Sequence, residues 1–221
     1  DNNGAGSINT ASVFQSGADN CGVVNQESVL PNTFDCSKLG ANTVVLTVND
    51  SHGNTNTCTA TVTVRDLIKP VATCPANISR PNDLGVCGAS VSYTASASDN
   101  CSIASLVPVP ASGSLFNIGT TQVKYTATDI AGNTGTCTFT VTVTDTESPV
   151  VTCPANVNLE NEPGKCSAMA FYADATATDN CAVQKVERID GRASGLVFPA
   201  GVSYITYRAT DIYGNSSTCS F

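Results

Sequence analysis

Three Asp-Asn-Cys tripeptides, ending at Cys21, Cys101 and Cys181, recur at a spacing of 80 residues. A second pattern keeps step with them. Asp-x-x-Gly-Asn segments begin at Asp50, Asp129 and Asp211, and a cysteine follows each one, at Cys58, Cys137 and Cys219. A third pattern, Cys-Pro-Ala-Asn, starts at Cys74 and again at Cys153. A period of about 80 residues is the size of a small domain and exceeds most solenoid units. It overrides the one or two domains that 221 residues would otherwise suggest. The repeats divide the chain into 1–66, 67–145 and 146–221. The first has no counterpart of the Cys74 segment, and the third stops two residues past Cys219.

Eleven cysteines at repeating positions point to disulfides and an oxidising, extracellular compartment. Zinc fits poorly, because His52 is the single histidine and no Cys-x-x-Cys pair occurs. A net charge of −8 leaves nothing to neutralise phosphates, which argues against nucleic acid and against an anionic membrane surface. No apolar run approaches the length of a spanning helix, so membrane insertion is not expected. No secretory leader is visible, which reads as a processed chain or a fragment.

The secondary-structure signal is period two. Val123, Tyr125 and Ala127 alternate with polar residues, as do Cys137, Phe139, Val141 and Val143. β-branched alternation of this kind reads as half-buried strands. In the middle repeat it predicts seven strands. A lies near 74–79, B over 87–97, C near 103–107, a short edge D near 110–114, E around 115–116, F over 122–128 and G over 136–143. The fold class is all-β, a tandem array of small sandwiches. The links Arg65–Pro70 and Thr144–Pro149 each end in proline, which suits a stiff connector.

The combined pattern "CPANI…GVCGASVSYTASASDNC…LFNIGTTQVKYTATDIAGNTGTCTFTVTV" resembles the hyalin repeat, or HYR, family, and the third repeat resembles it equally up to its last strand. The first repeat resembles a sister form found in surface proteins of Bacteroidetes-type bacteria. The resemblance implies immunoglobulin-like or fibronectin III-like sandwiches, an extracellular location and a role in adhesion or a matrix. It implies no catalytic residues. In an immunoglobulin-like topology the B–C and F–G corners share one end, which pairs Cys101 with Cys137, Cys21 with Cys58 and Cys181 with Cys219. Folding strands A and B back on each other then pairs Cys74 with Cys87 and Cys153 with Cys166. Cys36 is left without an in-chain partner. A rival pairing joins Cys74 to Cys101.

Calcium is the sharpest chemical expectation. Asp99 or Asp179 at one corner, and Asp129 with Asn133 or Asp211 with Asn215 at the neighbouring corner, converge on one end. The link acids Asp66, Asp145 and Glu147 come near the next domain's end, and oxygen ligands between tandem domains suit Ca²⁺. Turn chemistry competes, because Asp followed by Gly-Asn is what a tight turn requires. Asn49, Asn77, Asn100 and Asn215 match the N-glycosylation acceptor pattern, with Asn77 foremost. His52 is expected on the surface of its turn, with no triad around it.

These readings lead to an extracellular structural or adhesive protein of disulfide-stapled repeats that is not an enzyme. Its expected partners are copies of itself or neighbouring repeats, with glycans as a further class. Terminal strand complementation between copies would build a head-to-tail filament. The alternative is a carbohydrate-binding or spacer module of a larger secreted enzyme.

Overall fold

A computed structural model describes residues 4–20 and 23–221. Apart from the short helix Thr10–Val13 and a 3-10 turn at Cys36–Lys38, its regular elements are strands. Two compact units contain them: one comprises 1–75, 93–111 and 123–139, the other 76–92, 112–122 and 140–221. Each unit thus holds one outer repeat and part of the middle one.

In the first unit, Asn25–Leu30, Gly40–Asn49 and Thr55–Val64 form an antiparallel sheet in that order. Gly6–Ser7 pairs with Thr33–Phe34 in a second, smaller sheet. Val29, Val44 and Leu46 from the large sheet and Phe34 from the small one bury together, which makes the sandwich core of the first repeat. From the middle repeat, Val71–Thr73 pairs with Ser96–Ser98, and Ile103–Val109 pairs with the Gly119–Asp129 strand. Tyr93 packs edge-on to Phe139, centroids 5.1 Å apart, and donates its hydroxyl to the Pro110 carbonyl at 2.7 Å. This satisfies the one polar atom that the buried ring carries.

In the second unit, Gly88–Ser90 pairs with Leu115–Asn117, and Ile78–Pro81 runs parallel to residues 141–144 of the Thr134–Thr144 strand. The third repeat builds a three-stranded sheet from Val183–Asp190, Thr206–Asp211 and Ser216–Ser220. Ser167–Ala170 pairs with Leu196–Pro199, and Val150–Thr152 with Thr176–Thr178. Ala175, Ile205 and Tyr207 centre its core, with Val151, Tyr172, Val186, Phe198 and Phe221 against them. Tyr207 donates to Asp174 Oδ1 at 2.7 Å; burial, reinforced by that acceptor, pushes its hydroxyl up to about 12.

The strand parity holds. Val123, Tyr125, Ala127, Phe139, Val141 and Val143 are all buried, and Cys137 faces the same way. Strands A and B depart from expectation by breaking in two. A was expected near 74–79; instead Val71–Thr73 lies in one sheet and Ile78–Pro81 in another, with the break at Cys74-Pro75, where proline offers no amide to a ladder. Strand B likewise splits into Gly88–Ser90 and Ser96–Ser98, and no strand forms at 110–114.

That break overturns the expected disulfides. The bonds are Cys36–Cys101, Cys74–Cys137, Cys87–Cys181 and Cys153–Cys219. Val71↔Ser98 to Thr73↔Ser96 is the observed register. Carried one step on, it faces Cys74 with Ala95 rather than Cys87. Cys74 instead meets the inward-facing Cys137, so neither Cys74–Cys87 nor Cys101–Cys137 forms, nor does the rival Cys74–Cys101. The same geometry in the third repeat replaces Cys153–Cys166 and Cys181–Cys219 by Cys153–Cys219 and leaves Cys166 an exposed thiol. Cys36, expected to be without a partner, bonds the second repeat's Asp-Asn-Cys corner at Cys101. The expected Cys21–Cys58 bond involves Cys21, which lies outside the described residues; Cys58 is an exposed thiol.

The two bonds within repeats span 63 and 66 residues, and loops of that size restrict the unfolded chain by about 4 kcal/mol each in the chain-entropy treatment. The double variant Cys74→Ser/Cys137→Ser is expected to unfold in urea with about 2–5 kcal/mol less stability than the parent. Peptide mapping of the parent should return the four bonds above; recovery of Cys74–Cys87 would refute the split strands.

Candidate functional site

The Asp-x-x-Gly-Asn segments are turns, all built alike. Asp129 Oδ1 accepts the Asn133 amide at 2.8 Å, and Oδ2 accepts Asn133 Nδ2 at 2.8 Å. Asp211 repeats this with Asn215 and adds the Tyr213 amide, and Asp50 does so with Asn54. The glycines between them take φ of +86°, +90° and +97°, the left-handed region in which a side chain is strained. Asp129 and Asp211 are 2% and 0% exposed. Burial alone would raise both carboxyls; the Asn133 and Asn215 side chains, together with backbone amides, outweigh it and hold them below 3.8.

These four residues were expected as calcium ligands, and their geometry points elsewhere. The Asp129 and Asp211 carboxylates already have donors on both oxygens. Asn133 and Asn215 spend Nδ2 on the turn and on the link, reaching the carbonyls of Asp66 at 3.1 Å and Asp145 at 3.4 Å. Their function is to aim the link. The link also lies close against the following strand: a Cβ at Gly135 would stand 1.8 Å from the Pro70 carbonyl oxygen.

What the turns aim is an oxygen cluster, present once in each unit. The ligand atoms of Asp66, Asp99 and Cys101 lie within 4.8 Å of one another, and those of Asp145, Asp179 and Cys181 do likewise. Asp66 Oδ1 accepts the Ile68 amide and Asn100 Nδ2; Asp99 Oδ2 accepts the Cys101 amide at 3.0 Å. Asp145 and Asp179 are held in the same way by the Glu147 and Cys181 amides and by Asn180 Nδ2. The other oxygen of each carboxylate, and the side-chain oxygen of Asn100 and Asn180, are buried without a hydrogen-bond partner. Seven buried side-chain atoms among the described residues lack a partner, and six of them fall in these two clusters.

A buried oxygen without a donor costs about 1–3 kcal/mol, and two adjacent carboxylates add repulsion. A cation relieves both. The free donors are all hard oxygens, which suits Ca²⁺ or Mg²⁺. The sulfurs of Cys101 and Cys181 are in disulfides and cannot serve as thiolates, so the zinc-type reading gains nothing from them. Asp99 and Asp179 thus join the clusters, as do the link acids Asp66 and Asp145. Glu147 does not: it accepts Asn82 Nδ2 at 2.6 Å and the Gly85 amide at 2.7 Å. Asn100 and Asn180 were not expected in these clusters. Their signal was present in the invariant Asn of the repeated tripeptide.

Of the glycosylation candidates, Asn77 is exposed. Asn100 and Asn215 donate Nδ2 to internal acceptors, the nitrogen that a sugar would need. Asn49 is half-buried. His52 is exposed in its turn, with Ser51 as its neighbour.

The family model described as HYR domain matches residues 65–143 and 144–221. Hyalin of Strongylocentrotus purpuratus is 36% identical over 92% of this chain, which spans 18% of that protein, and hyalin of Lytechinus variegatus is 34% identical over 89%, spanning 38% of it. A sushi, von Willebrand factor type A, EGF and pentraxin domain-containing protein of Rattus norvegicus is 31% identical over 72% of the chain, which spans 4% of it. Among solved structures, Drosophila N-cadherin EC1-3 aligns over 97% of the chain and 92% of its own, at TM-score 0.36 and 14% identity.

The depressed Asp129 and Asp211 carboxyls set an acid limit. Their contribution is complete above the ordinary value of 3.8 and is lost as pH falls through their lower folded values. Thermal melts should therefore lose stability as pH drops below 3.8, and the variant Asp129→Asn/Asp211→Asn should show a shallower acid limb from a lower starting Tm. An unchanged limb would remove the turns from the pH response.

Proposed function

Because the chain belongs to the HYR domain family, we propose that it is an adhesive or matrix-forming stretch of an extracellular protein whose inter-repeat links are braced by calcium. The observation that carries this reading is the duplicated set of buried, unpaired oxygens: Asp66, Asp99 and Asn100 at one link, Asp145, Asp179 and Asn180 at the other. Bound there, calcium supplies positive charge and coordination to oxygens that no protein donor reaches. Asp66 and Asp145 come from the link, and the other four come from the Asp-Asn-Cys corner of the following repeat. The cation would therefore fasten the link to the end of the repeat it enters.

The disulfide bonds fit an oxidising compartment outside the cell. No helix among the described residues is long and apolar enough to cross a membrane. The hyalin relatives support a repetitive extracellular role rather than an enzymatic one. Copies of the chain and neighbouring repeats are the partners that this reading favours, and a filament follows where joints of the same type continue from copy to copy.

Calorimetric titration of the calcium-stripped protein with CaCl₂ should show binding at both clusters and a higher Tm in calcium than in chelator. At a free concentration of 100 Kd each site adds about 2.7 kcal/mol. The variant Asp99→Asn/Asp179→Asn should lose both the binding heat and the Tm gain while retaining its four disulfides. A flat titration with an unchanged Tm would sink the calcium reading.

A further inference from the structure

Two of the four disulfides among the described residues leave their own repeat, and they obey one rule. Each ends on the Asp-Asn-Cys corner of the following repeat, at Cys101 and at Cys181. The outgoing cysteines hold different places in the sequence, since Cys87 precedes the strand Gly88–Ser90 and Cys36 follows the strand Thr33–Phe34. The registers bring them to one place. Gly88↔Asn117 carried one step on puts Cys87 against Ile118. Gly6↔Phe34 carried two steps on puts Gly4 against Cys36. Phe34 corresponds to Phe116, so Gly4 holds the position of Cys87 and Cys36 that of Ile118. The bridge has moved across one strand pair, and a Cβ at Gly4 would stand 2.8 Å from Cys36 Sγ. Two different sequence solutions make the same bond.

The third repeat has the outgoing half of this joint. In the second repeat, Asn82 Nδ2 donates to the carbonyls of Asp83 and Val86, the Val86 amide donates to Asp83, and the Asp83 amide donates to Gly88. Asn180 Nδ2 of the incoming corner then reaches the Val86 carbonyl at 3.3 Å, beside the Cys87–Cys181 bond. In the third repeat, Asn161 Nδ2 donates to the carbonyls of Glu162 and Lys165, the Lys165 amide donates to Glu162, and the Glu162 amide donates to Ser167. Gly85 and Gly164 share a positive φ, +71° and +77°. Cys166 stands where Cys87 stands, as an exposed thiol.

We propose that Cys166 is a covalent assembly site that takes the Asp-Asn-Cys tripeptide of a further repeat, which a second copy of the chain offers at Asp19-Asn20-Cys21. Asn20 would donate to the Lys165 carbonyl as Asn180 does to Val86. The bond forms between Cys166 Sγ and Cys21 Sγ. Each thiol gives up one proton, and the electron pair passes to a small disulfide such as oxidised glutathione, which leaves as two thiols. Because the two surfaces are different, the contact is heterologous and propagates head to tail.

The test mixes isotopically light and heavy copies of the full chain in a glutathione redox buffer, followed by non-reducing electrophoresis and peptide mapping. The expected result is a ladder of multimers with Cys166–Cys21 as the dominant light–heavy cross-link. Cys166→Ser and Cys21→Ser should each abolish the ladder. Cys58→Ser, which removes the other exposed thiol among the described residues, should leave it intact. Retention of Cys87–Cys181 in every variant shows that folding survived. Recovery of Cys166 mainly as a free thiol or a glutathione adduct would overturn the proposal. So would Cys166–Cys166 or Cys166–Cys58 bonds as abundant as Cys166–Cys21, or Cys166–Cys21 only within single copies.

Discussion

The Cys36–Cys101 and Cys87–Cys181 bonds constrain everything around the links. Each joins the hairpin end of one repeat to the Asp-Asn-Cys corner of the next, across 65 and 94 residues of chain. A junction held only by a few side-chain contacts would open readily, and water would solvate its acids. With the corner tied down, Asp99 and Asn100 are held against Asp66, and Asp179 and Asn180 against Asp145. Their remaining oxygens are then out of reach of water. The covalent bond makes an otherwise costly cluster persistent, and persistence is what a cation site needs.

Acids on either side of the same link contacts acquire opposite characters from their donors. Asp129 and Asp211 are the more deeply buried, yet amides and an asparagine side chain supply both carboxylate oxygens with hydrogen bonds. They are complete, and their surplus effect is to hold the link carbonyls through Asn133 and Asn215. Asp66, Asp99, Asp145 and Asp179 each receive hydrogen bonds on one oxygen and none on the other. Burial alone does not identify a binding acid; the count of donors on each oxygen does.

Much of this was legible in the chain itself. Alternation placed Val123, Tyr125, Phe139 and Val141 in the core, because a pleated strand sends successive side chains to opposite faces. Asp-x-x-Gly-Asn announced its turns, since only glycine takes the required φ without strain. The same alternation could not show that Cys74-Pro75 ends one strand and lets the chain change sheets. That crossing, decided by packing and by proline's missing amide, took Cys74 to Cys137 and away from Cys87. Asn100 and Asn180 stood within the repeated tripeptide, but whether a side-chain oxygen is left without a donor depends on surroundings that a local pattern does not contain.

The amino-acid sequence by itself determined the period of about 80 residues, the all-β class, the inward-facing positions and the turns, because these depend on local sterics and on a two-residue periodicity. Only the tertiary structure decided which cysteines meet, that two of the four bonds among the described residues run between repeats, and which oxygens are left bare. Those outcomes depend on distances between residues 63 to 94 positions apart in the chain. Such distances follow from how strands register across sheets and how one repeat's end abuts the next.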